Sequence, residues 1–125
     1  MRVLLDTNVL LWAFLDSPKL SPVGRAAIEG ADEVYVSAAS IWEVAVKVGL
    51  GKLPVDMSQL AATLDASGFL ELYVTAEHAA FVAQLPPHHG DPFDRLLIAQ
   101  AMTEPLVLLT ADAQLAQYTD LVRLV

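Results

Sequence analysis

A chain of 125 residues has the length of one domain, residues 1–125, and can bury about two-thirds of the surface that its unfolded form exposes. It contains no cysteine, which excludes disulfides and thiolate metal sites and fits a cytoplasmic setting, and its net charge of -8 argues against nonspecific binding to nucleic acid, which draws on Lys and Arg. Hydrophobic residues make up 55% and mean hydropathy is +0.50, an apolar load that points to surface kept for a protein partner.

The predicted elements alternate between strand and helix. Arg2–Leu5 reads as a buried strand and Thr7–Phe14 as a helix directly after it. Asp6 and Asn8 interrupt this apolar start, which argues against a signal sequence, and the unbroken apolar run at 9–15 is too short to span a bilayer. Ser21 followed by Pro22 is a cap and first-turn pair, opening a helix to about Glu29. A short strand at 33–36 leads into a helix over 39–50 that Gly51 and Pro54 stop. The pattern then gives a helix starting after Ser58 and ending at Gly68, a strand at 69–74, and a helix at 75–85 capped by Thr75. Pro86-Pro87-His88-His89-Gly90 is a stiff loop into Asp91-Pro92, which caps a helix over 93–102. Strands at 106–109 and 121–124, with a short helix at 113–118 between them, complete the chain. Strands that alternate with helices imply βαβ crossovers, and so an α/β fold with a central, mostly parallel sheet of about five strands.

Four carboxylates, Asp6, Glu43, Asp94 and Asp112, fall at junctions where a strand ends or a helix begins. In an open parallel sheet such junctions gather along the carboxyl edge of the strands, where α/β proteins place their chemistry. Each also has a local explanation. Asp6 and Asp112 can cap the helices that follow them, and Asp94 sits in a first turn where the helix dipole favours it. Ser40-Ile41-Trp42-Glu43 fits a capping box, while a start at Ser37 instead puts Glu43 in the second turn, facing the sheet edge with Lys47 one turn on. Four caps on one edge would crowd like charges, and such repulsion calls for a cation. Carboxylate oxygens suit Mg²⁺ or Mn²⁺, whereas zinc prefers Cys or His. Of the histidines, His88 and His89 are adjacent with side chains pointing apart, and His78 lies on a helix flank, so all three read as loop or helix-face residues rather than ligands. A carboxylate-bound Mg²⁺ binds phosphate oxygens and activates water, so phosphodiester hydrolysis is the reaction that fits.

Asp6-Thr7-Asn8 after the first strand, Glu43 in the third helix, Asp94 in Asp91-Pro92-Phe93-Asp94-Arg95-Leu96-Leu97-Ile98-Ala99, and Thr110-Ala111-Asp112 together resemble the PIN domain family, in particular its VapC-type toxins. The resemblance covers essentially the whole chain. It implies a three-layer α/β/α fold and a Mg²⁺- or Mn²⁺-dependent endoribonuclease, homodimeric and silenced by a small antitoxin encoded beside it. Carried over, Asp6 and Asp94 are the principal metal ligands, Glu43 and Asp112 complete the pocket directly or through water, and Thr7, Asn8 and Thr110 orient these groups. Asp91 competes with Asp94 for the ligand role, but its place before Pro92 already gives it a capping one. The preference for RNA over DNA rests on the resemblance alone, since metal-assisted hydrolysis does not use the 2′-hydroxyl.

Arg95, Arg25 and Lys52 are candidates for gripping substrate phosphates, with solvated surface charge as the bland alternative for the last two. Trp12, Phe14 and Trp42 read as core or dimer interface. A phosphoacceptor receiver domain needs a lysine after the late strands, and Lys19, Lys47 and Lys52 all lie in the first half. A haloacid-dehalogenase-type phosphatase needs a second aspartate two residues after the first, where this chain has Asn8. A PIN-like binding module without activity is not favoured, because all four carboxylates are present.

Overall fold

A computed structural model describes residues 1–125. The strands are β1 (Arg2–Leu5), β2 (Glu33–Ser37), β3 (Leu70–Leu72), β4 (Val107–Thr110) and β5 (Val122–Leu124). The helices are α1 (Thr7–Phe14), α2 (Pro22–Glu29), α3 (Ala38–Gly49), α4 (Met57–Ala66), α5 (Ala76–Phe81) and α6 (Pro92–Thr103), with 3-10 turns at Val82–Gln84 and Ala113–Gln117. All four strand pairings are parallel and the order is β3-β2-β1-β4-β5. This differs from the 2-1-3-4-5 order of receiver domains. From β1 the chain winds toward β2 and β3, whereas from β4 it winds the other way to β5, so the direction reverses between β1 and β4. A crevice opens at the carboxyl ends of strands at such a reversal.

The period-2 alternation of β1 sets the layers. Val3 and Leu5 join α1 and α2 in one buried cluster, which takes in Val9, Leu10 and Ala27. Leu4 points to the other face and packs with Leu97, Ile98 and Ala101 of α6, and with Leu108 and Leu115. A third cluster of Leu11, Val44, Val55 and Leu60 ties α1, α3 and α4 together. At about 25 cal/mol per Å² of apolar surface, each fully buried leucine here contributes about 2 kcal/mol. No helix is long and apolar enough to cross a membrane.

Four elements differ from the sequence pattern by more than a one-residue shift. Asp56, not Ser58, caps α4: its Oδ1 accepts the N–H groups of Ser58 and Gln59 at 2.9 and 3.2 Å, so the helix starts at Met57. β3 is half the expected length because its only neighbour, β2, ends at Ser37 to cap α3, and no ladder partner remains beyond Leu72. The expected helix at 75–85 stops at Phe81 and tightens into a 3-10 turn, because Leu85 is extended ahead of Pro86. The segment between β4 and β5 likewise forms a 3-10 turn rather than an α-helix, with Asp112 as its cap.

Candidate active site

The reversal point between β1 and β4 is where the acidic residues collect. Asp6 continues the β1 ladder, its N–H donating to Leu109 O at 3.0 Å, and then caps α1 by accepting the Val9 N–H at 2.7 Å. Its second carboxylate oxygen accepts the hydroxyl of Thr110, the last residue of β4. The same hydroxyl oxygen accepts the Asp112 N–H at 3.0 Å, so one buried threonine couples the ends of both strands. On the other side, the Thr7 hydroxyl donates to Ser40 Oγ at 3.1 Å and pins the start of α1 to the first turn of α3. Ser37 caps α3 through the Ala39 N–H at 3.0 Å, which settles the choice against a capping box at Ser40 and leaves Glu43 in the second turn.

A cavity of about 120 Å³ results, lined by Asp6, Thr7, Asn8, Glu43, Lys47, Asp91, Asp94 and Asp112 with no apolar side chain. All four sequence-predicted carboxylates are brought together here. Asp91 lines the cavity too, while its Oδ1 is engaged in capping α6 through the Asp94 N–H at 3.0 Å. Glu43 is buried; Oε2 accepts from Lys47 Nζ at 2.9 Å and Oε1 has no hydrogen-bond partner. Burial is the main force lifting the Asp94 carboxyl from 3.8 to about 7, followed by the charges of Asp91 and Asp6 and opposed by His89. Asp6 is raised as well, mainly by burial and further by Asp112 and Glu43, against the hydrogen bonds of Thr110 and Val9 that hold it down. The site therefore stores like-charge repulsion that Lys47 only partly offsets.

Not every expected helper reaches a carboxylate. Thr110 does, Thr7 reaches Ser40 instead, and Asn8 stands exposed on the cavity wall. Arg95, read from the sequence as a phosphate clamp, is spent on the framework. Its guanidinium donates to the carbonyls of Pro86 (2.9 Å), Val82 (3.2 Å) and Leu85 (3.3 Å) and to the Tyr118 hydroxyl (3.1 Å). Arg25 pairs with Asp16 at 2.9 Å, and Lys52 is exposed on the turn after α3; neither lines the cavity. Trp42 is 61% exposed and so is no core residue, its ring lying edge-on to Phe93 at 5.0 Å. His89, expected on a solvated loop, turns inward with Nε2 at 3.1 Å from Asp112 Oδ2 and 3.7 Å from Asp94 Oδ2. The one signal for it in the sequence is that adjacent side chains point apart, so that with His88 against Tyr118 its neighbour faces the other way.

The sequence and the fold both match known proteins. The PIN domain family model matches residues 3–121. Ribonuclease VapC22 of Mycobacterium tuberculosis (strain ATCC 25618 / H37Rv) is 32% identical over 123 residues, spanning 93% of this chain and 91% of that protein. Among solved structures, the chain resembles DNA-bound VapBC from Salmonella typhimurium (TM-score 0.70, 17% identity, 100% of this chain and 97% of that one). It also resembles VapBC2 from Rickettsia felis bound to a DNA fragment from their promoter (TM-score 0.69, 17% identity, 100% and 98%). At these identities the structures speak for the fold, and the family match over residues 3–121 with the 32% identical relative speaks for descent: the chain belongs to the PIN domain family, in its VapC-type branch.

Proposed function

We propose that this chain is a Mg²⁺- or Mn²⁺-dependent endoribonuclease of a single domain, the toxin of a toxin–antitoxin pair. The observation that carries this reading is the buried Glu43 Oε1 without a partner, in the wall of a cavity shared with Asp6, Asp91, Asp94 and Asp112. An unsatisfied buried acceptor costs about 1–3 kcal/mol, and crowded carboxylates add to that. A divalent cation removes both penalties at once, and a donor set of hard oxygens fits Mg²⁺ or Mn²⁺. Asp6 and Asp94 would be the principal ligands, with Glu43 and Asp112 completing the set directly or through water.

When bound, the ion supplies positive charge to the phosphodiester and lowers the pKa of water. The chain's own residues do the rest. Thr110 and the Val9 amide hold both oxygens of Asp6. Lys47 offsets part of the Glu43 charge and brings the one cationic side chain to the cavity lining, where a phosphate would enter. With water as the attacking group and O3′ as the leaving group, the P–O3′ bond breaks and hydrolysis leaves a 5′-phosphate and a 3′-hydroxyl.

RNA as substrate is supported by the name of the relative, Ribonuclease VapC22. An antitoxin partner is supported by the VapBC complexes that share the fold. A second copy of the chain is a further partner, and the exposed apolar residues Trp42 and Val46 of α3, with Leu50 at its C-cap, supply surface for protein contacts. An antitoxin would suit the site best by sending an Arg or Lys toward the carboxylates.

The test is cleavage of single-stranded and structured RNA by the purified chain with Mg²⁺ or Mn²⁺, with end analysis of the products. Cleavage should stop in excess EDTA. Activity that survives EDTA, or products ending in 2′,3′-cyclic phosphate, refutes the mechanism. Expression of the chain alone should halt host growth, with rescue by the protein encoded beside it; no effect on growth and no complex with that neighbour refutes the toxin assignment.

A further inference from the structure

Two carboxylates from different elements converge on one nitrogen of His89: Asp112, from the turn after β4, and Asp94, from the first turn of α6. The ligand atoms of the three residues lie within 4.8 Å of one another, a spacing that would also suit a His-Asp-Asp metal site. The opposite edge of the ring decides between the two. There Nδ1 accepts the Asp91 N–H at 3.0 Å. An imidazole that accepts at Nδ1 carries its proton on Nε2 and has no lone pair there for a metal. Nε2 is thus a donor aimed at carboxylate oxygens.

Resting on the metal-site reading above, we propose that His89 is a positioning residue that holds Asp112 in place for a divalent cation, with Asp94 close behind, and is not itself a ligand. Asp112 Oδ1 is fixed by the Gln114 N–H at 2.9 Å, and the His89 bond at 3.1 Å fixes Oδ2. Asp6 is held in the same two-handed way by the Val9 amide and the Thr110 hydroxyl. His89 therefore does for the carboxylate after β4 what Thr110 does for the carboxylate after β1. The need is greater at Asp112, whose side chain is 38% exposed and would otherwise turn into solvent, whereas Asp6 is walled in. The ring itself is set by the Asp91 amide at the cap of α6, so one residue ties the α6 entrance to the end of β4.

The experiment uses the metal-free chain, titrated with Mn²⁺ alone by calorimetry, as parent, His89→Ala and His89→Gln, with melting curves as a check on folding. Glutamine keeps an N–H donor near the Nε2 position and makes a poor replacement for a ring ligand. His89→Ala should bind Mn²⁺ about 10- to 100-fold more weakly, as expected for loss of a group that orients a ligand, and His89→Gln should recover to within about threefold of the parent. Imidazole ¹⁵N spectra of the metal-free parent should show the Nε2–H tautomer. Unchanged or tighter Mn²⁺ binding by His89→Ala overturns the proposal. So does a His89→Gln variant as weak as the alanine one, which would make the ring a ligand. A parent that does not bind Mn²⁺ at all refutes the metal reading itself, and in that case an Nδ1–H tautomer in the spectra would separately refute the donor geometry.

Discussion

Replacing Asp94 by Asn removes one charge from the cavity while keeping the shape of the side chain. In the metal-free protein the Asp94 carboxyl is raised from 3.8 to about 7. The folded state thus holds its proton over a range where the unfolded state has lost it, and stability falls as pH rises from about 4 to about 7, then levels off. At about 1.4 kcal/mol per pH unit, this gap amounts to about 4 kcal/mol by pH 8. The side chain is 21% exposed, which screens part of that, and losing a charge from the first turn of α6 forfeits about 0.5–1 kcal/mol of helix-dipole stabilisation. Asp94→Asn should therefore stabilise the protein in EDTA by about 2 kcal/mol at pH 8, raising Tm by about 8 °C for a chain of this size. The gain should shrink below about 1 kcal/mol at pH 4, close to the unperturbed value of 3.8, where the unfolded state has begun to take up the same proton. Calorimetric melts at the two pH values, with and without Mn²⁺, make the assay. Added Mn²⁺ should raise the Tm of the parent and barely move that of the variant. A variant less stable than the parent at pH 8 in EDTA, or a gain that does not depend on pH, refutes the claim that burial and the neighbouring carboxylates disfavour an ionised Asp94 in this cavity.

Lys47→Met removes the one partner of buried Glu43 and should destabilise the metal-free protein by about 1–3 kcal/mol, a loss that Mn²⁺ reduces; thermal melts in EDTA and in Mn²⁺ check it. Thr110→Val keeps volume but deletes the hydroxyl shared by Asp6 and the Asp112 amide, so cleavage should fall by about 10- to 100-fold and stability by about 1–3 kcal/mol, read from initial rates and urea unfolding. Arg95→Lys cannot reproduce a fork that reaches three carbonyls and one hydroxyl, and should lower stability by about 1–3 kcal/mol without changing the salt dependence of RNA binding; a reduced salt slope would restore Arg95 as a phosphate contact.

The residues legible in the sequence share a property: their positions follow from local rules. Asp6 is fixed by the end of a strand and the start of a helix, Asp94 by Pro92, and Asp112 by its own turn, so reading caps in chain order located each of them. Glu43 was legible only conditionally, because Ser37 and Ser40 are equally good caps by composition. The choice was made elsewhere: the ladder of β2 runs through Ser37, and the Ser40 hydroxyl is taken by Thr7 across 33 residues of sequence. The length of β3 was likewise set by where its neighbour stops, a fact outside its own residues.

The sequence misleads at Arg95 and His89 for the same physical reason. A cation next to acidic residues looks like a phosphate contact, and histidines between prolines and glycine look like solvated loop, as long as backbone carbonyls and amides are left out of account. Buried or half-buried backbone groups must be paired, and past the tight turn at Val82–Gln84 the extended Leu85 leaves its carbonyl without a backbone donor. Arg95 supplies that donor and adds a second one to the carbonyls of Val82 and Pro86, which also accept from the Leu85 and His88 N–H groups, and the loop so anchored is the one that carries His89. The two are thus steps of one device: the arginine sets the path of the loop, the loop aims the imidazole, and the imidazole fixes Asp112. Arg95→Lys should accordingly weaken Mn²⁺ binding in the direction of His89→Ala, although Arg95 does not line the cavity. Mn²⁺ affinity unaffected by Arg95→Lys would uncouple loop from site and break this chain at its first link.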